Sequence, residues 1–179
     1  MPRLHRHLSR LQPEAYRGLG AVHWTFATHD RVKGWLNAEF HHHFREVLAH
    51  GGVRYHCATP IYCLMPDHMH VMLWGFRREA DLYTAARFLR KHTSGALLPA
   101  RYQKQAYDHV LQEKEREQDG FESICFYIAE NPVRAKLAAS AKDYPFSGSV
   151  IPGYPDLRIH EEGYWDLFWK IVHGLMNAP

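Results

Sequence analysis

MPDHMHVMLWG, residues 65–75, sets a Pro-Asp turn directly before an apolar run that carries two histidines one residue apart. Side chains on a strand alternate between faces. Read as a strand, residues 68–75 place His68, His70, Met72 and Trp74 on one side and Met69, Val71 and Leu73 on the other. The second set can pack beneath helices. The first set stands two imidazoles side by side, a spacing that suits joint capture of one metal ion. An isolated H-x-H also fits two half-exposed histidines on a solvated sheet, because metal ligation usually draws on a third protein group.

Working outward, residues 53–64 (VRYHCATPIYCL) predict a strand interrupted at Pro60. Residues 21–30 (AVHWTFATHD) alternate, are rich in aromatics and predict another. Between them, Val32, Trp35, Leu36, Phe40, Phe44, Val47 and Leu48 fall near helical spacing over 31–50, with Gly51-Gly52 as the stop. His41, His42 and His43 sit in this helix and face three directions, so they read as surface groups plus one partly buried ring. Downstream, 80–98 predicts a helix closed by Pro99, 102–110 a short strand, and 111–138 mostly helix. The order β-α-β-β-α-β-α predicts an α+β protein with a ferredoxin-like βαββαβ core and C-terminal helices. Its sheet is expected to be mainly antiparallel, with helices on one face and the other face open for a site. Residues 143–160, rich in Pro, Gly and Ser, read as an irregular wrap. Residues 161–176 place Trp165, Phe168, Trp169, Val172 and Met176 on one helical stripe that is expected to dock onto the domain. The expected organisation is a basic arm over 1–20, one domain over 21–142, and the wrap with its aromatic helix over 143–179.

A length of 179 residues fits one domain, and 46% hydrophobic residues supply a core. No apolar run is long enough to span a bilayer, and the N-terminus lacks a secretory signal. Cys57, Cys63 and Cys125 form no metal pattern and predict a reduced, cytoplasmic protein. The net charge of +3 is unevenly spread. Arg3, Arg6, Arg10 and Arg17 face only Glu14 in the first twenty residues. Residues 77–116 carry nine basic and five acidic groups, whereas 117–179 carry five and nine. A basic arm and a basic middle fit a polyanionic partner, and they equally fit a solvated surface.

FESICFYIAENPVRAKLA, residues 121–138, offers the histidines a counterpart. Tyr127 and Asn131 are four apart, on one helical face. The phenol can attack, and the amide oxygen can ligate a cation. Pro132 pushes the residue before it away from the α region, so the helix is expected to end or kink near Asn131. A buried tyrosine followed by an Asn-Pro helix stop is the alternative.

MPDHMHVMLWG resembles the HUH motif of single-tyrosine transposases, and YIAENPVRAKL resembles their nucleophile helix. YDHVLQEKE and DYPFSGS are also similar to segments of that family. The resemblance runs over roughly 20–150 and points to the REP-associated tyrosine transposases, bacterial proteins tied to repetitive extragenic palindromes. It implies the ferredoxin-like fold, with His68 and His70 as metal ligands, Asn131 as third ligand and Tyr127 as nucleophile. Many insertion-sequence relatives carry Gln where this chain has Asn131.

The implied activity is cutting and rejoining of single-stranded DNA beside a hairpin, through a 5′-phosphotyrosine link. It would be supported by Mg²⁺ or Mn²⁺, need no nucleotide cofactor, and act in the bacterial cytoplasm at the nucleoid. Expected phosphate contacts fall on Arg87, Arg90 and Lys91, one helical stripe, and on Arg77, Arg78 and Arg134. The resemblance admits a monomer or a homodimer, with no membrane partner. Two other classes fit the same residues. One is a domesticated hairpin-binding protein with little catalysis. The other is a metal-dependent hydrolase that uses His68 and His70 with a water nucleophile.

Overall fold

Five antiparallel strands make one sheet in the order β4-β1-β3-β2-β5, seen in a computed structural model that describes residues 10–154 and 157–178. Arg3 and Arg6 of the expected basic arm lie outside the described residues. The first four strands are β1 (Ala21–Ala27), β2 (Cys57–Met65), β3 (His68–Gly75) and β4 (Tyr107–Val110). Two helices, α1 (Ala38–Tyr55) and α2 (Leu82–Thr93), complete the expected βαββαβ order. β3 is central, pairing with β1 from Ala21↔Trp74 to Ala27↔His68 and with β2 from Cys57↔Gly75 to Met65↔His68. Pro60 is accommodated inside β2, where the register with both neighbours shifts.

The boundaries of α1 differ from the expected 31–50 at both ends. Asp30, Arg31 and Gly34 all have positive φ, which keeps this stretch out of a helix. The Asn37 side chain accepts the Phe40 N–H at 2.8 Å and starts the helix there. At the other end α1 runs through Gly51-Gly52 to His56, a left-handed cap. Gly52 serves close packing instead of termination, since a Cβ there would lie 2.7 Å from the Cys57 carbonyl oxygen.

α1 and α2 bury one face of the sheet with Val22, Trp24, Phe26, Met69, Val71 and Leu73. The other face is not open, contrary to expectation. The predicted helix over 111–138 is three pieces, α3 (Glu113–Arg116), α4 (Gln118–Ala129) and α5 (Asn131–Arg134). α4 and the C-terminal α6 (Tyr164–Asn177) cover Ala58, Ile61, Cys63 and Met72 with Phe121, Cys125, Ile128, Phe168 and Val172. Trp74 meets Phe121 and Trp169 edge-on, at centroid distances of 4.7 and 5.3 Å. The aromatic helix therefore docks, as its stripe predicts. At the N-terminal end of β3, His68 and His70 stay half-exposed on this face, next to half-exposed His23 and Thr25 of β1.

The expected irregular wrap contains a fifth strand, β5 (Ser147–Val150), paired with β2. The Tyr144 hydroxyl donates to the Leu64 carbonyl at 2.7 Å and anchors its approach. Cys57, Cys63 and Cys125 are buried free thiols. No helix among the described residues is long and apolar enough to cross a membrane.

Candidate active site

The alternation of β3 puts His68 and His70 on one face, and the backbone turn before it supplies their first support. His68 Nδ1 donates to Asp67 Oδ1 at 2.7 Å. That bond leaves Nε2 of His68 as the ring's lone-pair atom. Burial alone would raise the Asp67 carboxyl. The hydrogen bond from His68 and the charges of His68, Arg31 and Lys33 outweigh it and hold the group below the usual carboxylate range. Arg31 Nη1 sits 3.5 Å from the same carboxylate. Asp67 is further fixed by its backbone, whose carbonyl accepts from the Thr28 N–H at 3.0 Å and from the Thr28 hydroxyl at 2.9 Å.

His70 is held from β1. The register Thr25↔His70 brings Thr25 Oγ1 to 3.3 Å and His23 Nε2 to 3.0 Å from His70 Nδ1. Burial foremost, then the neighbouring His23 and His68 rings and the Arg134 and Arg31 charges, lower the His70 pKa to about 3. His23 is lowered to about 4 by burial and by His109. Both rings are therefore neutral near pH 7. With His70 Nδ1–H donated to His23 or Thr25, its Nε2 also presents a lone pair.

The two Nε2 atoms lie 3.1 Å apart. Both nitrogens are then within reach of one cation at a metal–nitrogen length of about 2.1 Å. Two imidazole nitrogens this close together, with a carboxylate behind one ring, suit a divalent cation. The donor set thus fits a metal through two imidazoles. Among the described residues, no group of three or more His, Cys, Asp and Glu side chains comes together to add a third.

Tyr127 and Asn131 flank the break between α4 and α5. α4 stops at Ala129 and α5 starts at Asn131, so the helix breaks near Asn131 as expected, although Asn131 itself is helical and the break falls at Glu130. Tyr127 is 63% exposed rather than buried. The Asn131 amide donates to the Ile128 carbonyl at 2.9 Å and, more weakly, to the Tyr127 carbonyl at 3.4 Å. Arg134 ties the pair together. Its Nη2 donates to the Tyr127 carbonyl at 2.7 Å and to Asn131 Oδ1 at 2.9 Å, and its guanidinium carbon stands 3.8 Å from the Tyr127 ring centroid. Neither Tyr127 nor Asn131 hydrogen-bonds either ring of the histidine pair. The link between the two halves is Arg134, whose charge is felt at His70.

The other named cations divide. Arg87, Arg90 and Lys91 share the lining of one cavity of about 860 Å³ with Arg54 and Arg101, on the α1–α2 face of the sheet away from the histidines. Arg90 is partly committed there, donating to the Gln103 carbonyl at 2.5 Å and lying over Tyr102. Arg77 donates to the Ala178 carbonyl at 2.6 Å, while Arg78 is exposed. His23, Thr25 and Asp67 went unpredicted. The alternation of AVHWTFATHD already put His23 and Thr25 on one face, but nothing in it disclosed which strand they would meet.

The structure is thus an α+β sheet of order 4-1-3-2 with a fifth edge strand, with paired imidazoles on β3 and Tyr127 on α4. No protein-family model matches the chain, and no curated protein matches it. Among solved structures it is similar to a REP-associated tyrosine transposase bound to a REP hairpin. The TM-score is 0.64 at 20% identity, over 78% of this chain and 82% of that one. That likeness is one of fold. Two bacterial tRNA(His) guanylyltransferase (Thg1)-like proteins also align. The complex with GTP gives a TM-score of 0.49 at 13% identity, over 92% of this chain and 95% of that one. The complex with ATP gives 0.35 at 14%, over 72% of each.

Proposed function

We propose that this protein binds hairpin DNA and cuts and rejoins an adjacent single strand through Tyr127. The observation that carries the reading is the pair of imidazoles with Nε2 atoms 3.1 Å apart, braced by Asp67 and His23. The sheet that carries them shares its fold with a transposase whose structure holds a REP hairpin. Mg²⁺ or Mn²⁺ held by His68 and His70 would supply charge stabilisation at the scissile phosphate. Tyr127, one turn before Asn131, is 63% exposed although the Arg134 guanidinium lies over its ring. Its oxygen forms the new bond to phosphorus as the bond to the 3′ oxygen breaks. The phenolic proton leaves to solvent and the departing 3′ oxygen is protonated. Attack by a 3′ hydroxyl on the phosphotyrosine reverses the step, so the phosphodiester energy is conserved and no nucleotide cofactor is consumed. Asn131 is the proposed third ligand. Arg78, Arg87, Lys91 and Arg134 are the proposed phosphate contacts, with Arg77 and Arg90 more committed to the protein itself.

The test is a labelled DNA hairpin with single-stranded flanks, incubated with protein and Mn²⁺ and run on a denaturing gel. A covalent protein–DNA band that vanishes in Tyr127→Phe is expected. Cleavage that survives Tyr127→Phe would instead assign the chemistry to a water nucleophile.

A second reading is favoured by one feature. Arg134 occupies Asn131 Oδ1 and lies over the Tyr127 ring, and neither group hydrogen-bonds the histidines. Were that arrangement kept on DNA, the protein would hold hairpins without cutting them, and the same gel would show binding but no covalent band.

A further inference from the structure

The contacts around the histidine pair form one line. His23 Nε2 lies 3.0 Å from His70 Nδ1, His70 Nε2 lies 3.1 Å from His68 Nε2, and His68 Nδ1 lies 2.7 Å from Asp67 Oδ1. The line runs from β1 to β3 and ends on a carboxylate, which only accepts. His23 stands opposite Met72 in the register and so reaches His70 on the diagonal, across one face of the sheet.

At about pH 8 an imidazole carries one proton. Asp67 takes the His68 proton on Nδ1, which leaves His68 Nε2 as a lone pair. A hydrogen bond between the two Nε2 atoms then needs the His70 proton on Nε2. His70 Nδ1 is in turn a lone pair, and His23 must donate to it from Nε2. Each ring donates to the next, and every contact from His23 to Asp67 is satisfied.

A cation held by both rings needs the opposite arrangement at His70. Its Nε2 must be a lone pair, so its proton belongs on Nδ1. His23 must then accept where it had donated, with its own proton on Nδ1. Two protons change nitrogens within their own rings. No ring changes its charge, and the same three heavy-atom distances serve both arrangements.

The two histidines therefore have different kinds of support. A carboxylate keeps His68 in one tautomer throughout. An imidazole both donates and accepts, so it can follow His70 through the change. Thr25 Oγ1 also does both, but it is further from His70 Nδ1, at 3.3 Å. Among the described residues His23 Nδ1 has no hydrogen-bond partner, so no protein group fixes which nitrogen carries its proton.

We propose that His23 is a positioning residue that lets His70 switch tautomer, from a hydrogen bond with His68 to a lone pair for the cation. This rests on the metal reading of the pair above and is independent of cleavage.

Long-range ¹H–¹⁵N NMR at about pH 8 reads the tautomer of each ring, with Zn²⁺ as a diamagnetic probe ion. Without Zn²⁺, wild type is expected to carry its protons on Nδ1 of His68 and on Nε2 of His70 and His23. With Zn²⁺, His70 and His23 should both move to Nδ1 while His68 stays as it was. His23→Leu should weaken Zn²⁺ binding roughly tenfold. His23→Gln, whose amide both donates and accepts, should stay within about threefold of wild type. Melting temperatures check that both variants fold, and if His23→Leu does not, the wild-type spectra and His23→Gln decide. A His70 ring that carries its proton on Nδ1 with and without Zn²⁺ overturns the switch. A folded His23→Leu that binds Zn²⁺ as wild type does, or a His23→Gln at least tenfold weaker than wild type, overturns the role of His23. If Zn²⁺ moves no histidine resonance of wild type, the metal reading itself fails, and the switch with it.

Discussion

Asp67→Ala is the most informative single change at the histidine pair. The Asp67 carboxylate accepts from His68 Nδ1 at 2.7 Å and sits 3.5 Å from an Arg31 guanidinium nitrogen. Alanine removes both without altering the backbone carbonyl that Thr28 holds. A charge-assisted hydrogen bond of this kind contributes about 1.5–3 kcal/mol. Part of that is recovered when water replaces the carboxylate, because Asp67 is about one-quarter exposed. The remainder acts on the direction and basicity of His68 Nε2. Losing such a partner lowers metal affinity roughly 10- to 100-fold. Asp67→Asn keeps an acceptor without its charge and should fall between alanine and wild type. The assay is Mn²⁺ titration followed by electron paramagnetic resonance of the free ion, which reads binding without any turnover. An Asp67→Ala protein that folds normally and binds Mn²⁺ as wild type does would refute the claim that the carboxylate prepares His68 for a cation.

Three further outcomes follow from the packing and the titrating rings. Gly52→Ala gains about 1 kcal/mol of helix propensity, but its Cβ would sit 2.7 Å from the Cys57 carbonyl oxygen. Overpacking against backbone costs about 1–3 kcal/mol, so thermal melting is expected to drop by a few degrees. Phe168→Ala empties a fully buried position among Phe121, Tyr164 and Trp169. It should cost about 3–5 kcal/mol, read from urea unfolding. His23, His41 and His70 have folded pKa values lowered to about 4, 4 and 3, below their unfolded value of about 6.5. Between pH 6.5 and about 4 the unfolded chain takes up protons that the native protein refuses. Stability in urea must therefore fall as pH is lowered through that window and level off above it, by up to about 1.4 kcal/mol per pH unit for each full proton of difference. His41→Gln should make the slope shallower.

The distribution of what was legible follows from how far each cause reaches along the chain. MPDHMHVMLWG showed its strand and the shared face of its histidines because alternation is a local property. Asn131-Pro132 showed the helix break for the same reason. β5 did not show itself, because SGSV has almost no strand signal of its own. It exists through its ladder to β2 and the Tyr144 anchor, both set by residues about eighty positions away. The stop expected at Gly51-Gly52 failed because glycine has two uses, chain reversal and close approach, and only the position of the Cys57 carbonyl decides between them. His23 was invisible as a partner of His70 because register is fixed by both faces of the sheet at once.

The same reasoning bears on the distance between the histidine pair and the tyrosine helix. His68 and His70 are pre-arranged: each Nδ1 is engaged, each Nε2 faces the other, and the rings are braced from β1 and from the turn before β3. Tyr127 and Asn131 are engaged differently, through Arg134 and local carbonyls on their own helical segment. The Arg134 contacts are exposed, and exposed charge-assisted bonds are weak against a competing anion. On the proposed reading, a DNA phosphate at the imidazoles would carry the charge that Arg134 prefers to a neutral amide oxygen. Drawing Arg134 toward that phosphate would release Asn131 Oδ1 and uncover the phenol ring in one movement. The rigid half of the site would then bind first, and the substrate itself would complete the second half. On this account a cation should bind the free protein through two imidazoles alone, and bind more tightly once a strand is present.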